Sequence, residues 1–255
     1  MKIATWNVNS IRAREERLLG FLEREQPDVL CLQELKVTDG DFPLEPIDAM
    51  GYHSHVHGQK TYNGVAILTR HEATKVFRGM GDDVDDPQAR LIRAEVEGIS
   101  FWNGYFPNGK AVGTEKYDYK LGWMGRLLAC LEHTASPSDA IVLCGDFNVA
   151  PDDQDAANPE KWRDSVLCHA DARAALERIR DWGLVDVFRM HHPEGGVYSW
   201  WDYRMLAFPK GDGVRIDHIF ATDPVAGRCR AARVDRDERK GKKPSDHAPV
   251  IAELD

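Results

Sequence analysis

Two continuous apolar runs, each ending in a carboxylate, constrain this chain more than any other feature. Val29 to Gln33 (VLCLQ) leads into Glu34, and Ile141 to Gly145 (IVLCG) leads into Asp146. Neither run alternates polar with apolar residues, the pattern of a strand buried on both faces. Such strands belong at the centre of a covered sheet, which points to an α/β protein. A third run, Ile3 to Trp6, ends at Asn7 in the same way. In sheet proteins ligands bind outside the carboxyl ends of the strands, and strand ends hold side chains more rigidly than loops do.

The remaining elements follow from periodicity and punctuation. Lys2 to Val8 reads as a strand, and Arg14 to Gln26 as a helix with Leu18, Phe21 and Leu22 on one face, ended by Pro27. Asp28 to Gln33 and Ala140 to Cys144 are the buried strands. Asn63-Gly64 marks a turn into a strand over Val65 to Thr69, and Leu91 to Val96 with Ile99 to Tyr105 reads as a hairpin. Met124, Leu127, Leu128 and Leu131 form a helical stripe, and Arg173 to Trp182 a further helix stopped at Gly183. Val214 to Ala221 and Ala248 to Leu254 read as late strands.

Charge argues in two directions. A net charge of −9 counts against a nucleic-acid binder, because phosphate contacts need Lys and Arg. Acid-rich sites also arise where a metal must be held, and the charge is uneven. Asp82 to Asp86 reads as a solvated acidic loop, and the basic run Arg228 to Lys243 as a solvated face or loop. The five cysteines are odd in number, widely spaced and without a CxxC pair, which argues against a disulfide framework or a zinc ribbon and for a reducing cytoplasm. Met1 to Ala4 runs into a strand without the apolar region of a signal peptide, and no stretch approaches the ~20 apolar residues that span a bilayer. His53, His55 and His57 would share one face of a strand, but no fourth zinc ligand is indicated.

Phosphodiester hydrolysis needs charge neutralised on the phosphate, an activated water and a proton source for the leaving oxygen. Glu34, Asp146, Asp217, Asp246 and His247 supply groups of the right kind. Oxygen donors of this sort suit a hard cation such as Mg²⁺.

The order of these segments resembles that of the endonuclease/exonuclease/phosphatase superfamily, and specifically its exonuclease III group of DNA-repair nucleases. The matching runs begin with Ala4 to Ala13 (ATWNVNSIRA), Pro27 to Lys36 (PDVLCLQELK) and Asn103 to Pro107 (NGYFP). They continue with Gly145 to Pro151 (GDFNVAP), Trp182 to Asp186 (WGLVD), Ser199 to Arg204 (SWWDYR), Arg215 to Asp217 (RID) and Pro244 to Val250 (PSDHAPV). Together they cover essentially the whole chain.

This resemblance implies a single domain over residues 1–255, built as a four-layer α/β sandwich with two mixed β-sheets packed face to face and helices on the outside. It implies dependence on Mg²⁺, with Mn²⁺ as an alternative. Glu34 would be the main metal ligand, helped by Asn7 and Asp246, with Asp146, Asn148 and His247 also within the metal set. Asp146 would activate the water or protonate the leaving oxygen, and Asn148 would position Asp146. Tyr105 would bind the phosphate. His247 would contact the phosphate with its tautomer fixed by Asp217. Trp200 and Ile216, with Val214 beside them, would line a small pocket for an abasic sugar, and Asn108 would contact the DNA backbone.

The implied activity is cleavage 5′ to abasic sites, removal of nucleotides from 3′ ends of double-stranded DNA, and removal of 3′ phosphates. A phosphoesterase of the same fold acting on another phosphoester is the alternative. A cytoplasmic monomer without membrane contact is the accompanying expectation. Trp201 and His218 depart from the family pattern, and Ser165 to Ala172 fits it loosely, which bears on the balance among the activities. Trp200 and Trp201 point to opposite faces if extended, so one of them belongs to the core.

Overall fold

The computed structural model describes residues 1–255 as two six-stranded sheets with helices on their outer faces. The first sheet runs, in spatial order, β11 (Cys229–Val234), β12 (Val250–Leu254), β1 (Lys2–Asn7), β2 (Val29–Gln33), β4 (Val65–Thr69) and β3 (His53–His57). The second runs β5 (Lys75–Arg78), β6 (Leu91–Val96), β7 (Ile99–Tyr105), β8 (Ile141–Asp146), β10 (Asp217–Ala221) and β9 (Val185–Asp186). Each sheet is mixed. It has one parallel pair at its centre, β1 with β2 and β7 with β8, among antiparallel neighbours.

The three apolar layers explain the unbroken runs in the sequence. Ile3, Val29, Cys31, Val65 and Ile67 of the first sheet face Ile92, Phe101, Val142, Cys144 and Ile219 of the second. The opposite face of the first sheet, with Ala4, Trp6, Leu30 and Leu32, packs on α1 (Ile11–Glu25) through Leu18, Phe21 and Leu22. Ser10, at the start of α1, makes no side-chain capping bond, a loss of about 1 kcal/mol. Burying Ile11, Leu18, Phe21 and Leu22 at about 1.5–3 kcal/mol each outweighs that loss. A short helix, α2 (Leu44–Asp48), adds Ile47 to the same layer. On the far side, α3 (Glu115–Thr134) covers Trp102 and Leu143 with Trp123, Met124, Leu127 and Leu131, next to α4 (Pro159–Trp162) and α5 (Ala170–Asp181). No helix is long and apolar enough to cross a membrane.

Several expectations from sequence are corrected. α1 begins at Ile11 and α5 at Ala170, each three residues earlier than the apolar stripe suggested. Val214 to Ile216 do not extend β10. Val214 alone makes isolated bridges, to Ala156 and to Trp200, while Arg215 turns inward between two buried carboxylates. The Asp82–Asp86 stretch is an exposed loop, as expected, but it is tied down: Asp82 and Asp86 clasp Arg126 of α3, and Tyr119 donates to Asp86. The basic run is partly a strand, β11, followed by a helical turn over Arg236–Arg239. Its Arg239 is buried and donates to the carbonyls of Ser245 (2.5 Å) and Trp201 (3.3 Å). Of the three β3 histidines, His55 meets the Thr69 hydroxyl and His57 the Leu91 carbonyl.

A buried ion cluster fixes the start of β10. Arg215 donates to Asp155 (2.6 Å) and Asp186 (2.8 Å), and Arg189 also reaches Asp155. Arg215 also lies 3.0 Å from Nδ1 of His218, whose Nε2 is 2.9 Å from the Val149 carbonyl. A guanidinium only donates, so Nδ1 accepts and Nε2–H is the donor, which fixes one neutral tautomer. Burial, and then the Arg215 charge, lower the His218 pKa to about 4 from its ordinary 6.5.

The folded state therefore selects neutral imidazole. Its contribution to stability is complete above pH 6.5 and is lost as pH falls towards 4, at up to about 1.4 kcal/mol per pH unit. We expect the His218 ring resonances, followed by NMR, to stay those of the neutral form down to pH 5. A midpoint near 6.5 would contradict this.

Candidate active site

The two parallel pairs set the site. Asn7 ends β1, Gln33 ends β2 opposite it, and Tyr105 and Asp146 end β7 and β8 side by side. The carboxyl ends of both pairs lie at the same end of the sandwich. Just past β2, Glu34 takes a left-handed backbone conformation (φ +54°), and past β8 so does Asn148 (φ +50°). Such conformations cost roughly 1–3 kcal/mol and persist where the surroundings enforce them. Gly145 (φ +142°) permits close approach of β8 to β7, since a β-carbon there would overlap the Gly104 carbonyl.

Asn7 joins the two sheets. Its amide donates to Glu34 Oε1 (3.0 Å) and to Asp146 Oδ2 (2.9 Å). Tyr105, from the second sheet, donates its hydroxyl to the same Glu34 Oε1 (2.9 Å). Asp146 Oδ1 accepts the Asn148 backbone N–H (2.9 Å), and its Oδ2 accepts the Asn148 side-chain amide (3.2 Å). Asn148 in turn accepts from Asn108 (2.9 Å). Asp217 faces Asp146 in the β8–β10 ladder and receives Nδ1–H of His247 (2.9 Å). The other ring nitrogen of His247 stands 3.8 Å from Asp146 Oδ2. Asp246 accepts from Asn9 (2.9 Å) and from the indole N–H of Trp200 (3.0 Å).

Charge in this cluster is unusually placed. Burial pushes the Asp146 carboxyl up to about 7, against the opposing pull of His247. Burial by itself would lower His247, but the carboxylates of Asp217, Asp146 and Asp246 raise it to about 10. Near neutral pH the imidazole is thus a cation with a proton on each nitrogen, one held by Asp217 and one directed toward Asp146. Tyr105 is held well above its ordinary value by burial and then by Glu34 and Asp146, so it remains a proton-bearing donor. Burial would raise Glu34, yet Lys36, Asn7 and His247 keep it below the ordinary value.

The cluster opens into a cavity of about 640 Å³. Its polar end is formed by Glu34, Tyr105, Asp146 and His247, and its apolar wall by Trp200, Ile216, Val166 and Leu167. Asn108 and Asp246 also line it, whereas Asn7 and Asp217 lie behind it as buried supports. Val214 is buried outside the lining, and Trp201 belongs to a small core with Ala207 and Ala248. The loosely matching Ser165–Ala172 stretch contributes one side of the cavity through Ser165, Val166 and Leu167.

Sequence reasoning missed three residues here. Trp162 packs edge-on against Trp200 (5.6 Å between ring centres) and extends the wall. Lys36 bonds Glu34 Oε2 (2.9 Å). Lys120 of α3 is fully buried without a carboxylate partner, and donates to the carbonyls of Asn108, Asn148 and Val166 at 3.3, 2.7 and 2.6 Å. It ties together three segments that border the cavity, and burial lowers its pKa to about 7. Nothing in the local sequence separates it from a surface lysine.

The donor set fits a hard divalent cation. Carboxylate oxygens of Glu34 and Asp146 lie within 4.8 Å of each other and of a ring nitrogen of His247, which offers no lone pair while the imidazole is cationic. Oxygen donors predominate. The Lys36 ammonium pairs with the remaining oxygen of Glu34.

Comparison with known proteins agrees with this geometry. Residues 4–247 match the model of the Endonuclease/Exonuclease/phosphatase family. The chain is 39% identical to Exodeoxyribonuclease III of Haemophilus influenzae over the full length of both, and 34% identical to an Exodeoxyribonuclease of Bacillus subtilis over 98% of each. Among solved structures, an AP endonuclease from Archaeoglobus fulgidus superposes with a TM-score of 0.97 at 42% identity, covering 100% of this chain and 99% of that one. A 3′ phosphatase from Neisseria bound to a product DNA hairpin superposes with a TM-score of 0.96 at 42% identity, with the same coverage. The chain belongs to the endonuclease/exonuclease/phosphatase family.

Proposed function

We propose that this protein is a divalent-metal-dependent DNA-repair phosphodiesterase that cuts 5′ to abasic sites and trims or dephosphorylates 3′ ends of double-stranded DNA. The observation that carries the proposal is the joining of Asn7, Glu34, Tyr105, Asp146, Asp217 and His247 across two sheets, beside a cavity with an aromatic wall. The full-length relatives named as nucleases support the substrate class.

Glu34 and Asp246, with Asn7 beside them, would hold the cation. Asp146 and Asn148 would add oxygen donors near it, and His247 would join them only as a neutral imidazole. Magnesium suits these oxygen donors, with manganese as a substitute. When bound, the ion would neutralise charge on the scissile phosphate.

The protein's own groups do the rest. Asp146, raised toward neutrality, accepts the proton of the attacking water, and the two amide bonds from Asn148 and Asn7 aim its carboxylate. The Nε2–H of the His247 imidazolium donates to a non-bridging phosphate oxygen, and Asp217 prevents the ring from turning. Tyr105, whose proton is held by Glu34 Oε1 in the free protein, would turn its hydroxyl to the phosphate, and burial keeps that proton in place. Trp200, Ile216 and Asn108 line one cavity, where the first two would bound a sugar without a base and Asn108 would contact the adjoining backbone.

Two labelled duplexes test this, one with a central abasic analogue and one undamaged with a recessed 3′ end, each with Mg²⁺ and with EDTA. A discrete metal-dependent cut at the lesion is expected. A ladder from the 3′ end without lesion cutting would make the protein a 3′-end enzyme. Cleavage of neither duplex would move the assignment to a non-DNA phosphoester.

A further inference from the structure

The rim of the site carries a basic group that the chemistry above leaves without a role. Glu34 Oε1 is fully engaged, accepting from both Asn7 (3.0 Å) and Tyr105 (2.9 Å). Glu34 Oε2 is left for a cation, and Lys36 Nζ stands 2.9 Å from it. The same ammonium donates to Asn9 Oδ1 (2.6 Å), and Asn9 donates to Asp246 Oδ1 (2.9 Å). One lysine therefore spans the gap between Glu34 and Asp246, through Asn9.

The backbone is built to keep it there. Asn9, Ser10, Glu34 and Lys36 are all non-glycine residues with positive φ, at 44°, 85°, 54° and 58°. Their two turns are tied by Ser10 N–H to the Glu34 carbonyl (2.7 Å) and Ile11 N–H to the Leu35 carbonyl (3.1 Å). Lys36 N–H is held by the Asn63 carbonyl (2.9 Å). Four strained residues at one rim are a cost that the rest of the fold must offset, and such strain clusters at functional positions. The Lys36 side chain keeps 30% of its surface exposed, so it has room to leave without unpacking the core.

We propose that Lys36 is an internal competitor for the divalent cation: its ammonium neutralises Glu34 when the ion is absent, must leave Glu34 Oε2 when the ion enters, and so sets the affinity of the site. The inference rests on Glu34 being the main metal ligand. A lysine's charge is compact and its stem flexible, which suits a group that must both occupy and vacate a position. The arrangement keeps the buried carboxylates compensated in the metal-free protein, where an unpaired charge would be costly. It also weakens metal binding, because part of the binding energy is used to displace the ammonium.

The test is titration of the metal-free protein with Mn²⁺ alone, followed by isothermal calorimetry and by loss of the free Mn²⁺ resonance signal, without DNA. Wild type is compared with Lys36→Met, Lys36→Arg and Glu34→Gln. We expect Lys36→Met to tighten binding at least about tenfold, since a positive charge within a few ångströms is removed. Lys36→Arg keeps the charge and stays within about threefold of wild type.

The melting temperature of Lys36→Met should also rise more on adding Mn²⁺ than that of wild type, because Glu34 is uncompensated beforehand. Unchanged or weaker binding in Lys36→Met, or equal tightening in Lys36→Arg, would overturn the proposal. Glu34→Gln separates the two readings. If it binds Mn²⁺ as wild type does, the assignment of Glu34 as ligand fails. If it loses binding while Lys36→Met is unchanged, only the competitor role fails.

Discussion

Replacing Asp146 by asparagine lowers turnover by about 10³-fold or more and leaves substrate affinity within about threefold, because a positioned acid–base group supplies 10²–10⁴ of rate and contributes little to ground-state binding. The substitution keeps an acceptor for the Asn148 N–H but removes the proton acceptor itself. It also ends the burial of a carboxylate whose pKa is pushed up to about 7, which offsets the acceptor lost to the Asn7 and Asn148 side-chain amides, so stability should stay within about 1–2 kcal/mol of wild type. His247 keeps its cationic form through Asp217, which preserves the phosphate contact. Single-turnover cleavage of the abasic duplex, with binding measured separately, reads both effects. Retention of more than a tenth of the wild-type rate would remove Asp146 from the centre of the mechanism.

The second large effect is on stability. Arg215→Met should cost about 3–5 kcal/mol, the usual consequence of removing one partner from a buried ion cluster. Arg215 is 1% exposed and bonded to two carboxylates, Asp155 and Asp186, that are themselves buried. Arg189 still pairs with Asp155, so the stranded charge falls mainly on Asp186. Adding Asp186→Asn to the variant should recover part of the loss, since the amide keeps the Arg189 N–H bond and carries no charge. Urea unfolding of the three proteins measures this, and a loss below about 1 kcal/mol for Arg215→Met would show that the cluster contributes little.

These two residues also mark how far the sequence could be read. Asp146 and Glu34 stood out because each ends an apolar run, where a carboxylate is conspicuous, and the strands carrying them were recognised to within a residue or two. The hairpin β6–β7 and β4 were legible from the turn residues that border them, Glu97-Gly98 and Asn63-Gly64.

Buried cations were not legible. Arg215, Arg239 and Lys120 are chemically identical to surface residues, and only distant partners reveal them: Asp155, the Ser245 carbonyl and the Asn148 carbonyl. Edge strands were missed as well. β5 (KVFR) is mostly exposed, and β11 (CRAARV) carries a bulge between Cys229 and Ala231, so neither shows a clean alternation. Trp162 sits in a polar stretch and acquires meaning only by packing against Trp200.

The bridging amide of Asn7 has a kinetic implication. Its three companions Glu34, Asp146 and His247 come from both sheets and from nearly the whole length of the chain, and Trp6 donates to the carbonyl of His247 across 241 positions. Contacts of such long sequence separation form late, because loop closure must precede them. Locally connected strands such as β6–β7 and β3–β4 can therefore pair before any competent centre exists. During refolding, circular dichroism should recover first and cleavage last, so a partly folded chain has no means of cutting DNA.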